Sequence, residues 1–214
     1  MRKLILFSAV LSLFLLVPAS ITWAQTVSSQ KGLITIIFKV SQGTVKVYLP
    51  DDIRPGDIIS GTFRAEPSGK NAGQTGRNLA ELRKYSLKID GIKHIVTSDP
   101  ETFKWIVPTD RTLLSPVELM ASNGSIAGKA TLPLKNNTAG DLSGKDCTVP
   151  SHVLTATPLR IAGSFDGDLS NTNCLLDNQP VQILAESPRQ CQVLFPNNEP
   201  GSRNLQIIEN GEEK

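Results

Sequence analysis

Tyr85-Ser86-Leu87-Lys88-Ile89-Asp90-Gly91-Ile92-Lys93-His94-Ile95-Val96 alternates apolar and polar side chains on either side of Asp90-Gly91. Alternation of period two marks a strand with one buried face. Asp-Gly suits a two-residue type I′ turn, whose central residues both need positive φ. Together these facts set a register. Ile89 stands opposite Ile92, Leu87 opposite His94 and Tyr85 opposite Val96 on one face. Ser86, Lys88, Lys93 and Ile95 take the other, mostly polar face.

A second hairpin is predicted around Asn123-Gly124, opposing Ala121 to Ile126, Leu119 to Gly128 and Val117 to Ala130, with Glu118 meeting Lys129 across the strands. Outward from these hairpins the same alternation recurs. It runs through Ile34, Ile36, Phe38 and Val40, through Val45, Val47 and Leu49, through Ile59, Phe63 and Ala65, and through Phe103, Trp105 and Val107. Pro55-Gly56-Asp57 is turn chemistry between two of these runs. The Gly-, Asn- and Ser-rich stretch 67–77 reads as a flexible loop, followed at Asn78–Tyr85 by a helical turn at most.

The apolar pattern fails between Lys135 and Pro150 and resumes at Leu159, Ile161 and Phe165. Further short runs follow around Cys174, Val181–Ala185, Cys191–Phe195 and Leu205–Ile207. Many short strands punctuated by Gly, Pro and Asn predict an all-β sandwich. The expected organisation is two tandem sandwich units, residues 26–134 and 150–210, joined by a polar linker at 135–149. The alternative is one larger sandwich in which the second segment adds strands to the first.

The N-terminus has the three parts of a secretory signal: Met1-Arg2-Lys3, an apolar run from Leu4 to Val17, and small residues up to Ala24 after Thr22-Trp23. That run is shorter than the roughly 20 residues needed to span a bilayer. Residues 1–24 are therefore expected to be cleaved, leaving a secreted or periplasmic protein without a transmembrane anchor. The whole chain carries 22 Lys and Arg against 20 Asp and Glu, and Arg2 and Lys3 leave with the signal. A formally neutral remainder gives no electrostatic reason to bind nucleic acid. Of the three cysteines, Cys147, Cys174 and Cys191, an oxidising compartment favours one disulfide. Three pairings are open, and Cys174 with Cys191 is preferred because each lies in its own strand-like run.

Residues 157–209 carry Leu159-Arg160-Ile161-Ala162-Gly163-Ser164-Phe165, then Leu175-Leu176-Asp177-Asn178-Gln179-Pro180-Val181, then Ser187–Pro196 with its terminal proline, then Gly201 and Leu205-Gln206-Ile207. This succession resembles the IPT/TIG branch of immunoglobulin-like domains. The resemblance implies a sandwich that supplies binding surface or spacing rather than catalysis.

Candidates for chemistry are few. The only histidines are His94 and His152. The hairpin register puts His94 on an apolar face, and His152 falls in a Pro- and Ser-flanked connector. No nucleophile elbow, zinc motif or phosphate-binding loop is present. The strongest ligand-like pattern is Asp166-Gly167-Asp168-Leu169-Ser170, with Asp177 eleven positions after Asp166. Asp166, Asp168, Ser170 and Asp177 supply hard oxygens at spacings that partly imitate a calcium loop. Asn171 stands where that motif has Gly, and no helices flank it. No catalytic residue is assigned, and no cofactor other than this candidate calcium. The expected function is an exported, non-enzymatic binding, adhesion or spacer module whose partner is an extracytoplasmic protein or glycan. The alternative is an accessory or catalytic component of extracellular polysaccharide or protein breakdown.

Overall fold

The computed structural model describes residues 25–30, 32–69, 72–82, 84–94, 101–110, 114–135, 147–197 and 201–214. The signal sequence read at 1–24 and most of the expected linker lie outside these residues. In chain order the elements are β1 (Gln25–Gln30), β2 (Leu33–Val40), β3 (Gly43–Pro50), β4 (Ile58–Pro67), α1 (Ala72–Leu82), β5 (Ser86–Ile89), β6 (Ile92–His94), β7 (Glu101–Ile106), β8 (Leu114–Met120) and β9 (Ile126–Pro133). They continue as β10 (Pro158–Ala162), β11 (Thr172–Leu176), β12 (Gln179–Pro180), β13 (Ile183–Ser187), β14 (Gln190–Leu194), β15 (Leu205–Glu209) and β16 (Glu212–Glu213).

The chain is all-β, built from antiparallel sheets. One large sheet has the order β1-β2-β3-β4-β13-β14-β10, with β7 also paired to β4. Two smaller sheets, β6-β5-β8-β9 and β12-β11-β15-β16, pack against it. Alternation explains the layers. Ile34, Ile36, Phe38, Val45 and Val47 of the large sheet bury against Leu87, Ile89, Val117, Leu119 and Leu132 of the first small sheet. The layers meet closely at Gly128, where a Cβ would lie 2.5 Å from Phe38 Cδ1. A second core gathers Leu159, Ile161, Phe165, Cys174, Cys191, Val193 and Ile207 between β10 and β14 of the large sheet and the other small sheet.

The buried residues of the first core come from Ile34 to Leu134 and those of the second from Leu159 to Ile207, but the large sheet does not stop between them. β4 pairs with β3 from Thr62 to Pro67, and where β3 leaves, β13 takes over the edge through Gly61↔Ala185 and Ser60↔Glu186. Leu184 and Ala185 pack there with Leu33, beside Tyr48 and Leu194. Thr62 Oγ1 donates to Leu184 O at 2.9 Å. The two halves therefore share one sheet across the connector.

The first hairpin has the register read from Asp90-Gly91: Ile89↔Ile92 and Leu87↔His94. Asp90 and Gly91 take φ of 50° and 81°. The His94 side chain, and the Tyr85–Val96 pairing, fall outside the described residues. The second hairpin corrects the sequence reading at its tip. Val117↔Ala130, Glu118↔Lys129 and Leu119↔Gly128 hold, but Ile126 faces Met120 rather than Ala121 across a bulge. Asn123 Oδ1 accepts from both Ser125 N and Ser125 Oγ, so the turn closes on itself locally and lengthens the loop. Lys88 and Lys129 flank Glu118, and the hydrogen bond from Lys129, reinforced by both charges, holds its carboxyl below the usual range against burial.

The glycine-rich stretch is also corrected, since residues 72–82 form a helix of 11 residues. Gly73 and Gly76 lower its intrinsic propensity. Tertiary contacts override that cost: Leu82 is fully buried in the first core, Asn78 Nδ2 donates to Ser68 O, and Thr75 Oγ1 donates to Gly69 O. No helix among the described residues is long and apolar enough to cross a membrane.

Candidate functional site

The polar centre of the molecule lies where β13 meets β4. A bulge in β13 between Ile183 and Ala185 reverses the strand's alternation. It turns Glu186, opposite both Ser60 and Cys191, into the space between the layers. Across that space Thr172 of β11 stands opposite Glu209 of β15. Ser60 Oγ donates to Gly167 O at 2.7 Å and accepts from Leu169 N at 3.3 Å, which seats the loop carrying Asp166 on β4. Gly167 has φ of 80°, and a Cβ there would lie 2.0 Å from Ile58 O, so the close approach requires glycine.

These contacts bring carboxylate oxygens of Asp166, Glu186 and Glu209 within 4.8 Å of one another. Asp166 and Glu209 are well partnered. Asp166 accepts from Asp168 N at 2.7 Å and Asn171 Nδ2 at 2.7 Å, and Glu209 Oε1 accepts from Asp166 N at 2.7 Å. Lys214 pairs with Glu209 Oε2. Glu186 is different: it is 0% exposed, and neither carboxyl oxygen has a well-formed hydrogen bond. Thr172 Oγ1, 4% exposed, likewise has no well-formed hydrogen bond. Burial pushes the Glu186 carboxyl up to about 8, the Glu209 and Asp166 charges reinforce it, and the nearby Thr172 hydroxyl and Gly167 backbone temper it. At Asp166 burial again opposes ionisation, but the hydrogen bonds from Asn171, Asp168 N and Asn210 more than offset it and hold the carboxyl below its usual range.

The four candidate calcium ligands do not come together as a set. Asp166 belongs to the carboxylate cluster. Asp168 is paired with Lys104 Nζ at 2.6 Å, which draws its carboxyl down. Ser170 N donates to Asp168 Oδ1 at 3.1 Å, closing an ordinary Asx turn, and Ser170 Oγ donates to the same oxygen at 2.7 Å. Asp177 lies beyond the opposite end of the five-residue β11, about 16 Å away at ~3.3 Å per residue. It caps Asn204 N at 2.9 Å and pairs with Arg203 at 3.0 Å. Glu186 and Glu209 were not singled out in sequence because simple alternation through Ile183 and Ala185 points Glu186 outward.

The preferred Cys174–Cys191 disulfide is not formed, and all three cysteines are thiols. Cys174 pairs with Ile207 in the small sheet and Cys191 with Ile161 in the large one, so they occupy opposite layers. Burial pushes the Cys174 thiol up to about 12 and the Cys191 thiol well above its ordinary value. A thiol-reactive chromophore should therefore label both at least about a hundredfold more slowly in native protein than in denaturant. Equal rates would show that this core opens freely.

At the far end of the second core lies an open cleft of about 640 Å³. Its walls include His152, Val153, Leu176, Phe195, Arg203 and Leu205. A second hollow of about 580 Å³, beside Asp177, Gln179 and Asn197, shares Leu176 and Arg203 with it. The loops on either side build a surface of apolar floor and polar rim. Ser151 Oγ and His152 Nδ1 are 3.0 Å apart at this rim, but both are exposed. Among the described residues no carboxylate orients the imidazole, which a nucleophile–base pair requires.

No family model matches the chain, and no curated protein matches it. Among solved structures it is similar to SGBP-B of the Bacteroides ovatus mixed-linkage glucan utilization locus, in complex with a mixed-linkage heptasaccharide, at 16% identity and a TM-score of 0.25. That alignment covers 87% of this chain and 50% of the other. The extracellular region of plexin A4 aligns at 11% identity and a TM-score of 0.28, over 92% of this chain and 18% of that one. The chain thus spans half or less of the structures it aligns with. Superposition this loose assigns neither a family nor a ligand.

Proposed function

We propose that the protein is an exported, non-catalytic binding module whose ligand face is the cleft at the far end of its second core. The observation that carries this reading is the pair of adjoining hollows, which share Leu176 and Arg203 and are walled by loops. Loops held by a rigid scaffold are where binding residues concentrate, and a concave apolar floor with a few polar groups is the common form of a binding site. The succession of β10, β11, β12, β14 and β15 supports placing this half with IPT/TIG-type sandwiches, which supply binding surface or spacing. The ligand that fits best is a polypeptide segment. A sugar platform needs exposed aromatic rings, whereas Phe38, Phe63, Phe103, Trp105 and Phe165 are buried in the two cores and Phe195 is half-buried. Arg203, Asp177, Gln179 and Asn197 offer side-chain donors and acceptors that match peptide groups.

Purified protein screened against extracytoplasmic protein fractions, peptide libraries and glycan arrays tests the reading. Arg203→Glu and Val153→Asp should each weaken the captured ligand at least tenfold while the circular dichroism spectrum stays unchanged. A ligand whose affinity ignores both changes would place the binding face elsewhere. Selective capture of glycans would overturn the polypeptide assignment. Turnover of ester, peptide or glycan substrates that vanishes in Ser151→Ala or His152→Ala would replace the binding module with an enzyme.

A further inference from the structure

We propose that Asp166, Glu186, Glu209 and Thr172 hold one calcium ion at the junction of β13 with β4, a site distinct from the ligand cleft. The geometry points there from several sides. Carboxylate oxygens within 4.8 Å of one another can share a single ion, because ligands at about 2.3–2.6 Å from calcium lie no more than about 5 Å apart. Glu186, fully buried, has no well-formed hydrogen bond at either oxygen, and the buried Thr172 hydroxyl beside it has none either, so the pair interact only loosely. Acceptors so poorly satisfied are rare in a folded interior, and an unseen ion is one of the few explanations for them.

Charge agrees. Three carboxylates meet Lys214, while Asp168 is matched separately by Lys104. Ionised together, the three carboxylates would carry two more negative charges than Lys214 offsets, an excess that a divalent cation neutralises. The donors are all oxygen, and neither histidine nor cysteine joins the cluster, which selects calcium or magnesium over zinc. Magnesium keeps several waters in a strict octahedron, whereas calcium accepts many protein oxygens in irregular geometry. A burial this deep favours calcium. A hollow of about 210 Å³ lies on the Leu169 and Thr172 side of the cluster. Bound there, the ion links the Asp166 loop and β15 to β13, and so ties the small sheet to the large one.

The test is thermal unfolding and titration calorimetry of the purified protein after exhaustive chelation. Calcium added to about a hundredfold above its Kd should raise Tm by about 5–10 °C, with a calorimetric stoichiometry of one. Glu186→Gln and Glu209→Gln should each lose calcium affinity at least tenfold, and Asp177→Asn, outside the cluster, should retain it. Glu186→Gln also removes a buried acid that repels its neighbours, so its metal-free Tm should hold or rise. That separates lost binding from lost folding. No calcium response in the chelated wild type, an unchanged response in Glu186→Gln, or an equal response to magnesium would overturn the assignment.

Discussion

Replacing Arg189 with Met should destabilise the protein by about 3–5 kcal/mol at neutral pH, the cost of stripping one partner from a buried ion pair. Arg189 donates Nε to Asp52 Oδ2 at 3.0 Å, Nη1 to Asp57 Oδ1 at 3.2 Å and Nη2 to Asp52 O at 3.1 Å. Its Nη2 also bonds Asp57 Oδ2. It reaches these groups from the β13–β14 turn, so the same side chain fastens the second half to the Pro55-Gly56-Asp57 turn of the first. Without it Asp52 keeps Arg54, at 3.0 Å, and Asp57 keeps the Arg54 backbone amide. Lys at this position should recover only part of the loss, since an ammonium cannot serve both carboxylates with a planar fork.

The pH dependence follows from Asp52. Burial opposes its ionisation, but the Arg54 hydrogen bond and the Arg189 charge outweigh burial and hold the carboxyl below its usual range. A depressed folded pKa gives stability that is present above the unfolded pKa and lost as pH falls through the folded one. The gap between wild type and Arg189→Met should therefore narrow as pH drops below about 4. Urea unfolding at a series of pH values measures this, and a gap that stays constant to pH 2 would remove the ion pair from the account.

Gly167→Ala should cost about 3 kcal/mol or more, from two sources that add. A non-glycine residue at φ 80° is strained, and such strain costs about 1–3 kcal/mol. The new Cβ would also drive against the Ile58 carbonyl, whose residue is held in register opposite Ile106 of β7 and cannot retreat cheaply. Gly91→Ala is the control: its φ of 81° is similar, but nothing lies within 4 Å of the added Cβ. Its cost should be the backbone strain alone. Equal losses in the two variants would mean that the loop is not pressed onto β4.

Local rules made much of this legible. Asp90-Gly91 gave its hairpin in register because a two-residue turn leaves no slack. Strand placement in the second half followed from alternation around Leu159, Cys174, Cys191 and Ile207. What escaped was long-range. One bulge at Leu184 turned Glu186 inward, and no property of the residues 181–187 alone announces a bulge. The helix at 72–82 owes its existence to Leu82 entering a core assembled from distant strands, against the preference of Gly73 and Gly76. The carboxylate cluster joins residues from three separate parts of the chain, and only the calcium-like spacing around Asp166 hinted at one of them.

The shared edge of β4 also sets an order of events in time. Ser60 and Gly61 gain their β13 partners only when the second half arrives, and the Thr62–Leu184 hydrogen bond spans 122 positions of sequence. Pairings so distant form slowly, because loop closure must precede the contacts that reward it. Until then the first half carries an unpaired edge where β3 ends, a ready template for another chain. A truncation that ends before β13 should accordingly collect as soluble aggregates even with its own core intact. The second half thus acts toward the first as a built-in chaperone, delivered late and kept for good.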